Sequence, residues 1–303
     1  MDPALILFGL GVGVLVGMTG IGGGSLMTPL LILVFGVQPI TAIGTDLAYG
    51  AVTKTVGGYK HLKQKTVDLK LSTWMALGSV PAAIGGVYVL EALERSLGAD
   101  FDEVLLSVLA GALLLCGVAT LARALFLKRL DEKERESAGG TTRGRAAAVV
   151  MGVLVGFVLG ITSAGSGALI AVGLILLFRL VPRRVVGTDV FHAAILLWAA
   201  ALAHMVSGNI DFLLMATILV GSLPGVLIGT ALIGRVPANA LRPVLGCVLL
   251  GSGLGVLKKA GVDVPPAVLI GLPVIVGAAA WQLQRGRRNR VSPTTNEVEV
   301  VPA

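Results

Sequence analysis

Charge is scarce in this chain: Asp, Glu, Lys and Arg make up 14% of its 303 residues against 55% hydrophobic ones, with a mean hydropathy of +0.91. Soluble domains carry about 25% charged residues, so a water-exposed globule is excluded and an integral membrane protein is implied. Cysteine is limited to Cys116 and Cys247, each alone in an apolar segment. That excludes a disulfide framework or a cysteine metal site and leaves small packing residues. No metal or other cofactor is expected. The 24 Lys and Arg outnumber 17 Asp and Glu, but they cluster between apolar runs, which marks membrane topology and not a nucleic-acid partner. The opening Met1-Asp2-Pro3-Ala4 has no basic region ahead of its apolar run, so a cleaved signal peptide is not expected.

What the chain has in abundance is apolar runs of membrane-spanning length, at about 40–60, 69–90, 103–126, 184–206, 211–234, 239–257 and 264–284. Helices must dominate, because open strand edges cannot be satisfied in lipid. Residues 9–86 and 152–229 are one pattern written twice, 143 positions apart without a gap. Gly13/Gly156, Gly17/Gly160, Pro39/Pro182, Gly44-Thr45-Asp46/Gly187-Thr188-Asp189, His61/His204, Asp68/Asp211 and Pro81/Pro224 coincide. Shared apolar composition cannot produce matches among glycines, prolines and polar residues, so the chain holds two copies of one structural unit.

The loops of the two copies carry opposite charge. Lys60, Lys63, Lys65 and Lys70 follow the 40–60 run, whereas residues 205–210 hold no cation; Arg179, Arg183 and Arg184 flank Pro182, whereas residues 36–41 are uncharged. Under the positive-inside rule the copies lie upside down relative to each other, an inverted-topology repeat with the N-terminus outside and the C-terminus inside. The loop 91–103 falls outside and the charged linker 127–146 inside. Lys258 and Lys259 fall outside and break the rule.

For this topology to close, the opening of each copy must cross the membrane an even number of times or not at all. Residues 3–18 and 26–36 make helices of about 24 Å and 16 Å, short of a core of roughly 30 Å. Around Thr19-Gly20-Ile21-Gly22-Gly23-Gly24-Ser25 they predict a re-entrant helical hairpin. Residues 146–161 and 168–179 around Thr162-Ser163-Ala164-Gly165-Ser166-Gly167 predict its copy. A single long, broken helix in each copy is the competing reading. It leaves the charge asymmetry unexplained.

Non-helical backbone at membrane depth must be buried or line a cavity, so two Gly-rich tips imply a central polar site. The candidate substrate-binding residues are Thr19, Gly22, Gly23, Gly24, Ser25, Thr162, Ser163, Gly165, Ser166 and Gly167. Glycine lets a ligand approach the main chain, hydroxyls donate to oxyanion oxygens, and each second half-helix turns its positive end to the site. Packing by small residues is the competing role, and it fits Gly9, Gly13 and Gly17. Nucleotide binding is excluded because the glycines follow no strand and precede no Walker lysine. Ala164-Gly165-Ser166-Gly167 is not the motif of an intramembrane serine protease, and no enzyme activity is expected.

Lys54 lies mid-segment and either attracts the anion or snorkels toward the cytoplasmic loop; its repeat mate is Leu197. Asp46 and Asp189 each follow Gly-Thr and act either as helix caps or as proton-coupling groups. His61 and His204 read as polar anchors at helix ends, Asp68 and Asp211 as N-caps, and Pro81 and Pro224 as kink positions.

At Gly20-Ile21-Gly22-Gly23-Gly24 with Pro29, Gly44-Thr45-Asp46-Leu47, the 61–68 loop ending Val67-Asp68, and Gly78 to Gly86, the sequence resembles the TauE/SafE family of sulfite and organosulfur anion exporters. The resemblance covers most of residues 5–257. It implies a bacterial cytoplasmic-membrane permease moving sulfite or related sulfonates outward, with no cofactor. The second tip departs from the triple-glycine form.

The reading is therefore an all-α polytopic membrane protein of two inverted repeats, each opening with a Gly-broken hairpin, plus an additional C-terminal helix. Its divisions are a first repeat 1–126, a linker 127–146, a second repeat 147–258, an additional helix 259–284 and a disordered cytoplasmic tail 285–303. It is a secondary transporter of small sulfur oxyanions, with protons as coupling ion; an uncoupled channel or uniporter, or a permease for another small anion, is the alternative. Its partners are the small anion and the lipid bilayer, and assembly into a homo-oligomer is left open.

Overall fold

The computed structural model describes residues 2–19, 24–125, 137, 140–232 and 238–290. These fold into eleven α-helices: α1 Pro3–Thr19, α2 Gly24–Val34, α3 Pro39–Lys63, α4 Leu69–Leu97, α5 Phe101–Leu125, α6 Thr142–Thr162, α7 Leu169–Leu176, α8 Pro182–Val206, α9 Phe212–Leu232, α10 Ala238–Lys259 and α11 Pro266–Arg290. Four stretches are long and apolar enough to cross a membrane, 69–125, 142–162, 182–206 and 212–232, with shorter apolar helices at 3–18, 25–34 and 266–280. The helix α3 is absent from both sets. It has the length, but Asp46, Lys54, Lys60 and Lys63 lower its hydropathy.

The helix starts follow from local chemistry. Pro39 and Pro182 open α3 and α8, where a missing N–H costs nothing. Asp68 and Asp211 are N-caps, accepting the Leu71 amide at 3.1 Å and the Leu214 amide at 2.9 Å. Both α4 and α9 continue through Pro81 and Pro224.

Several boundaries differ from those expected. The stretch 91–103, expected as an external loop, is helical: α4 runs to Leu97 and a 3-10 turn at 98–100 leads straight into α5. Glu91 and Arg95, one helical turn apart, pair at 3.2 Å along this extension. The helix α6 begins at Thr142, inside the span read as linker, with the Thr141 side chain accepting the Gly144 amide at 3.1 Å. The helix α11 continues to Arg290, into the span read as tail. The helices flanking the tips are 3–19 and 24–34 in the first copy and 142–162 and 169–176 in the second; α6, at 21 residues, is longer than the half-helix expected at 146–161 and is long enough to cross a membrane.

Packing obeys the repeat. Along the crossing of α6 on α4, a Cβ built on Gly152, Gly156 or Gly160 would stand 2.3, 2.3 or 2.4 Å from the carbonyl oxygens of Met75, Ser79 and Ala83. Along α1 on α9 the repeat mates Gly9, Gly13 and Gly17 would meet Ile218, Ser222 and Val226 at 2.5, 2.4 and 2.4 Å. Each copy thus lends its first helix to the other's long helix. Between the two central helices, Gly50 of α3 faces Leu197 and Gly57 faces Val190, so α3 and α8 run antiparallel. Thr55 and Trp198, themselves repeat mates, touch each other through a 2.8 Å hydrogen bond from the indole N–H.

In each copy the helix before the tip packs against the helix or chain after it. The Phe8 and Phe35 rings meet edge to face with centroids 4.9 Å apart, bringing the start of α1 to the end of α2. In the second copy Met151, the repeat mate of Phe8, packs on Gly173 of α7.

Gly156→Ala forces backbone apart at a crossing, whereas Gly85→Ala adds a methyl where nothing lies within 4 Å. Overpacking costs about 1–3 kcal/mol. Thermal unfolding in detergent should therefore show a lowered Tm for Gly156→Ala and an unchanged or raised Tm for Gly85→Ala.

Candidate functional site

Three buried oxygens from three elements meet at the centre. Thr28 lies one turn into α2, on the face that also carries Ser25. Asp46 is in the second turn of α3 and Ser163 ends α6 in a left-handed conformation at φ 57°, its amide closing on the Leu159 carbonyl. The Thr28 hydroxyl is 2.5 Å from Asp46 Oδ2 and 2.6 Å from Ser163 Oγ, and Ser163 Oγ is 2.8 Å from Asp46 Oδ2. All three residues are buried, and Asp46 Oδ1 has no hydrogen-bond partner.

The second tip supplies the next layer. Gly165 and Gly167 adopt φ of 112° and 105°, a region that side chains rarely enter, which is why glycine occupies both positions. They fold the tip so that Ser166 is fully buried with its hydroxyl unpartnered, and so that the Gly167 amide turns to the Asp189 carboxylate. Ser25, at the first turn of α2, is 2% exposed and also has an unpartnered hydroxyl. Thr162 serves the tip's own backbone: it donates to the Val158 carbonyl at 2.6 Å and accepts the Ala164 amide at 3.3 Å. Gly22 and Gly23 lie outside the described residues, as do the side chain of Thr19 and the surroundings of Gly24.

Lys54 is 6% exposed, and its ammonium has no hydrogen-bond partner. It faces Asp189 and, less closely, Asp46, without ion-pair contact to either. This placement does not fit snorkelling: the ammonium is buried within the protein, under the electrostatic influence of the Asp189 and Asp46 carboxylates. Capping is overturned for Asp46 and Asp189. Helices α3 and α8 begin seven residues before them, at Pro39 and Pro182, and both carboxylates turn toward the tips.

The adjoining threonines brace the two copies instead. Thr45 Oγ1 accepts the Asp211 amide at 3.0 Å, and its mate Thr188 accepts the Asp68 amide at 2.9 Å. The histidines divide. His204, expected as an interfacial anchor, is buried with Nε2 3.0 Å from the Gly160 carbonyl, because α8 turns it onto α6; His61 stays half-buried beside Thr66, Nδ1 to Oγ1 at 3.0 Å. Lys259, an exception to the charge rule, donates to the Ile32 carbonyl at 2.6 Å. It thus satisfies the C-terminal end of the half-helix α2.

Sequence reasoning passed over Thr28, Tyr49 and His192. Thr28 was detectable as the residue three after Ser25 on one helical face. Tyr49 and His192 are repeat mates, three residues after Asp46 and Asp189, and both are buried. The Tyr49 hydroxyl faces Ser222, and His192 Nε2 is 3.2 Å from Ser79 Oγ, the matching serine.

Replacing Thr188 by Val takes the acceptor from the buried Asp68 amide, a loss of about 1–3 kcal/mol, and Thr45→Val does the same to the part-buried Asp211 amide at a smaller cost. Chemical denaturation in detergent should show each variant less stable than wild type, with Thr73→Val, whose hydroxyl serves only its own helix, near wild type.

Over residues 5–256 the chain matches the family described as sulfite exporter TauE/SafE. It is similar to the probable membrane transporter protein YjnA of Bacillus subtilis (strain 168), 39% identical over 84% of this chain and 99% of that protein. It also resembles the probable membrane transporter proteins YdhB and YunE of the same organism, at 28% identity over 80% of this chain and 93% of the relative, and at 25% over 72% and 83%. No solved structure matches the chain.

Proposed function

The chain belongs to the TauE/SafE family of membrane transporters, and from that premise we propose that it is a secondary transporter exporting a small sulfur oxyanion, sulfite or an organosulfonate. The supporting observation is Lys54. A cation buried in a membrane protein is costly unless it serves a partner, and this ammonium contacts none. An oxyanion supplies the missing contact.

The hydroxyls of Ser25 and Ser166 are buried donors without acceptors, on the first-copy half-helix and the second-copy tip. They provide neutral hydrogen bonds for sulfur-bound oxygens beside the fixed charge. Helix α7 begins just after the tip with no side-chain cap, and its first amide, that of Leu169, donates to the Gly165 carbonyl of the tip at 3.1 Å. Asp46 and Asp189 give the site one negative charge more than Lys54 neutralises. An anion enters more readily when a carboxylate takes up a proton, which makes protons the coupling ion. Export of an anion down an inside-negative potential releases about 2.3 kcal/mol per charge at 100 mV.

The membrane arrangement in this reading is the inverted repeat. Antiparallel α3 and α8 are exchanged by an axis perpendicular to their length, which lies in the membrane plane if both helices span. The tips of the two opening helix pairs then enter from opposite faces as re-entrant hairpins and meet near the midplane. The cytoplasmic face is the side of Lys60, Lys63, Arg183 and Arg184, in the bacterial cell membrane.

Flux of radiolabelled sulfite and of a sulfonate such as sulfoacetate into liposomes containing the purified protein tests this. Wild type should carry at least one of them; Lys54→Leu, which installs the repeat mate, should raise KM tenfold or more, and Ser166→Leu should abolish flux in a folded protein. Unchanged sulfite and sulfonate flux in both variants would remove the tips and Lys54 from the pathway.

A further inference from the structure

The three oxygens of Thr28, Asp46 and Ser163 form a closed triangle whose sides are 2.5, 2.6 and 2.8 Å. Each side is of hydrogen-bond length, and each therefore needs one proton between its oxygens. The two hydroxyls bring two protons. With the Asp46 carboxylate ionised, one side of the triangle is left with lone pairs facing each other at contact distance. A third proton completes the ring: Asp46 Oδ2–H donates to one hydroxyl, that hydroxyl to the other, and the second back to Oδ2.

A metal cation at the centre does not produce these lengths. With oxygens about 2.3–2.6 Å from a hard cation such as calcium, neighbouring ligand oxygens stand about 3 Å or more apart by simple geometry. The triangle is tighter on all sides.

We propose that Asp46 holds a proton in this conformation, shared around a ring with Thr28 and Ser163, and that release of this proton opens the contact between α2 and the second tip. The proposal rests on the transport reading of the site and deepens it by naming the proton's place and what it does. The charge change is simple: Asp46 goes from neutral to negative as the proton leaves Oδ2. The two hydroxyl protons then both turn to the carboxylate, the Thr28 and Ser163 oxygens repel, and Ser163 withdraws. Because Ser163 is the left-handed residue that ends α6, its displacement moves the tip that carries Ser166.

The titratable and charged groups around the ring are few. Tyr49 and Lys54 share α3 with Asp46; Asp189 and His192 come from α8, Asp211 heads α9, and Arg123 reaches toward Asp189 from α5. The described residues of α2 and of the tip 163–168 contribute no titratable side chain. Among these groups Lys54 is the one that bears electrostatically on Asp46. Anion binding at Lys54 screens its positive charge and thereby favours the protonated ring, which links substrate to proton.

Infrared difference spectroscopy of the full-length protein in lipid, wild type against Asp46→Asn at neutral pH, reads the carbonyl stretch of a protonated carboxylic acid. The expected result is an acid band that is lost in Asp46→Asn and shifted in Thr28→Val, which keeps the side chain's shape but not its donor. A second measurement uses Ser166→Cys with Cys116 and Cys247 replaced by Ala. Labelling by a membrane-impermeant thiol reagent accelerates with pH in any variant as the thiolate forms, so the expected result is an acceleration from neutral to alkaline pH severalfold greater than in the same protein with Asp46→Asn added. Absence of the acid band, its indifference to Thr28→Val, or an acceleration of labelling that is the same with and without Asp46→Asn would overturn the proposal. Sulfite and sulfonate flux measured on the same preparation separates the two readings. An acid band without flux of either leaves the proton ring standing and removes the transport assignment, and flux without the band does the reverse.

Discussion

Every helix end inside a membrane protein exposes backbone amides and carbonyls that lipid cannot satisfy, and this constraint organises the fold. The chain interrupts its helices at two tips, so those tips must be wrapped by protein. The wrapping is done by long helices that approach closely enough to exclude lipid, and such approach needs glycine. At the crossings of α1 on α9 and α6 on α4 the backbones meet where any side chain would collide with a carbonyl oxygen. Tips, crossings and central site depend on one another. The hydroxyls of Ser25 and Ser166 and the Lys54 ammonium are buried there without hydrogen-bond partners, which costs free energy.

The two copies are equivalent in framework and different in chemistry. Glycine crossings, proline helix starts, the Asp68 and Asp211 caps and the Thr45 and Thr188 braces recur at matching positions. Apart from Asp46 and Asp189, the polar groups at the centre do not recur: Lys54 matches Leu197, Thr28 matches Ala171, Tyr49 matches His192 and Ser163 matches Gly20. The asymmetric centre places a buried ammonium, that of Lys54, in the first copy and a leucine at the matching position of the second.

This division explains what was legible in the sequence. Framework residues are constrained by backbone geometry, so Gly13 and Gly156 or Asp68 and Asp211 survive in both copies and reveal themselves by repetition. Thr28 has an alanine as its mate, so matching the copies could not find it, and its partners are 18 and 135 positions away. Asp46 was legible as a polar residue after Gly-Thr. Its role was not, because distinguishing a cap from a buried group requires knowing that the helix begins seven residues earlier, at Pro39. Lys54 posed the same difficulty: depth along a segment does not say which way a long side chain turns. Charged residues at 91–95 suggested a loop, but two of them are one turn apart on a continuing helix.

The central claim is that two copies of opposite orientation place their broken helices face to face across the membrane. Single cysteines at Gln38 and Val206, near the start of α3 and the end of α8, and at Gln64 and Arg183, near the opposite ends, test it most directly. These sites are exposed. In intact cells and in inverted vesicles carrying a background without Cys116 and Cys247, a membrane-impermeant thiol reagent should label positions 38 and 206 from outside and positions 64 and 183 from inside. Labelling of 38 and 183 from the same face would contradict it, because the repeats would then be parallel.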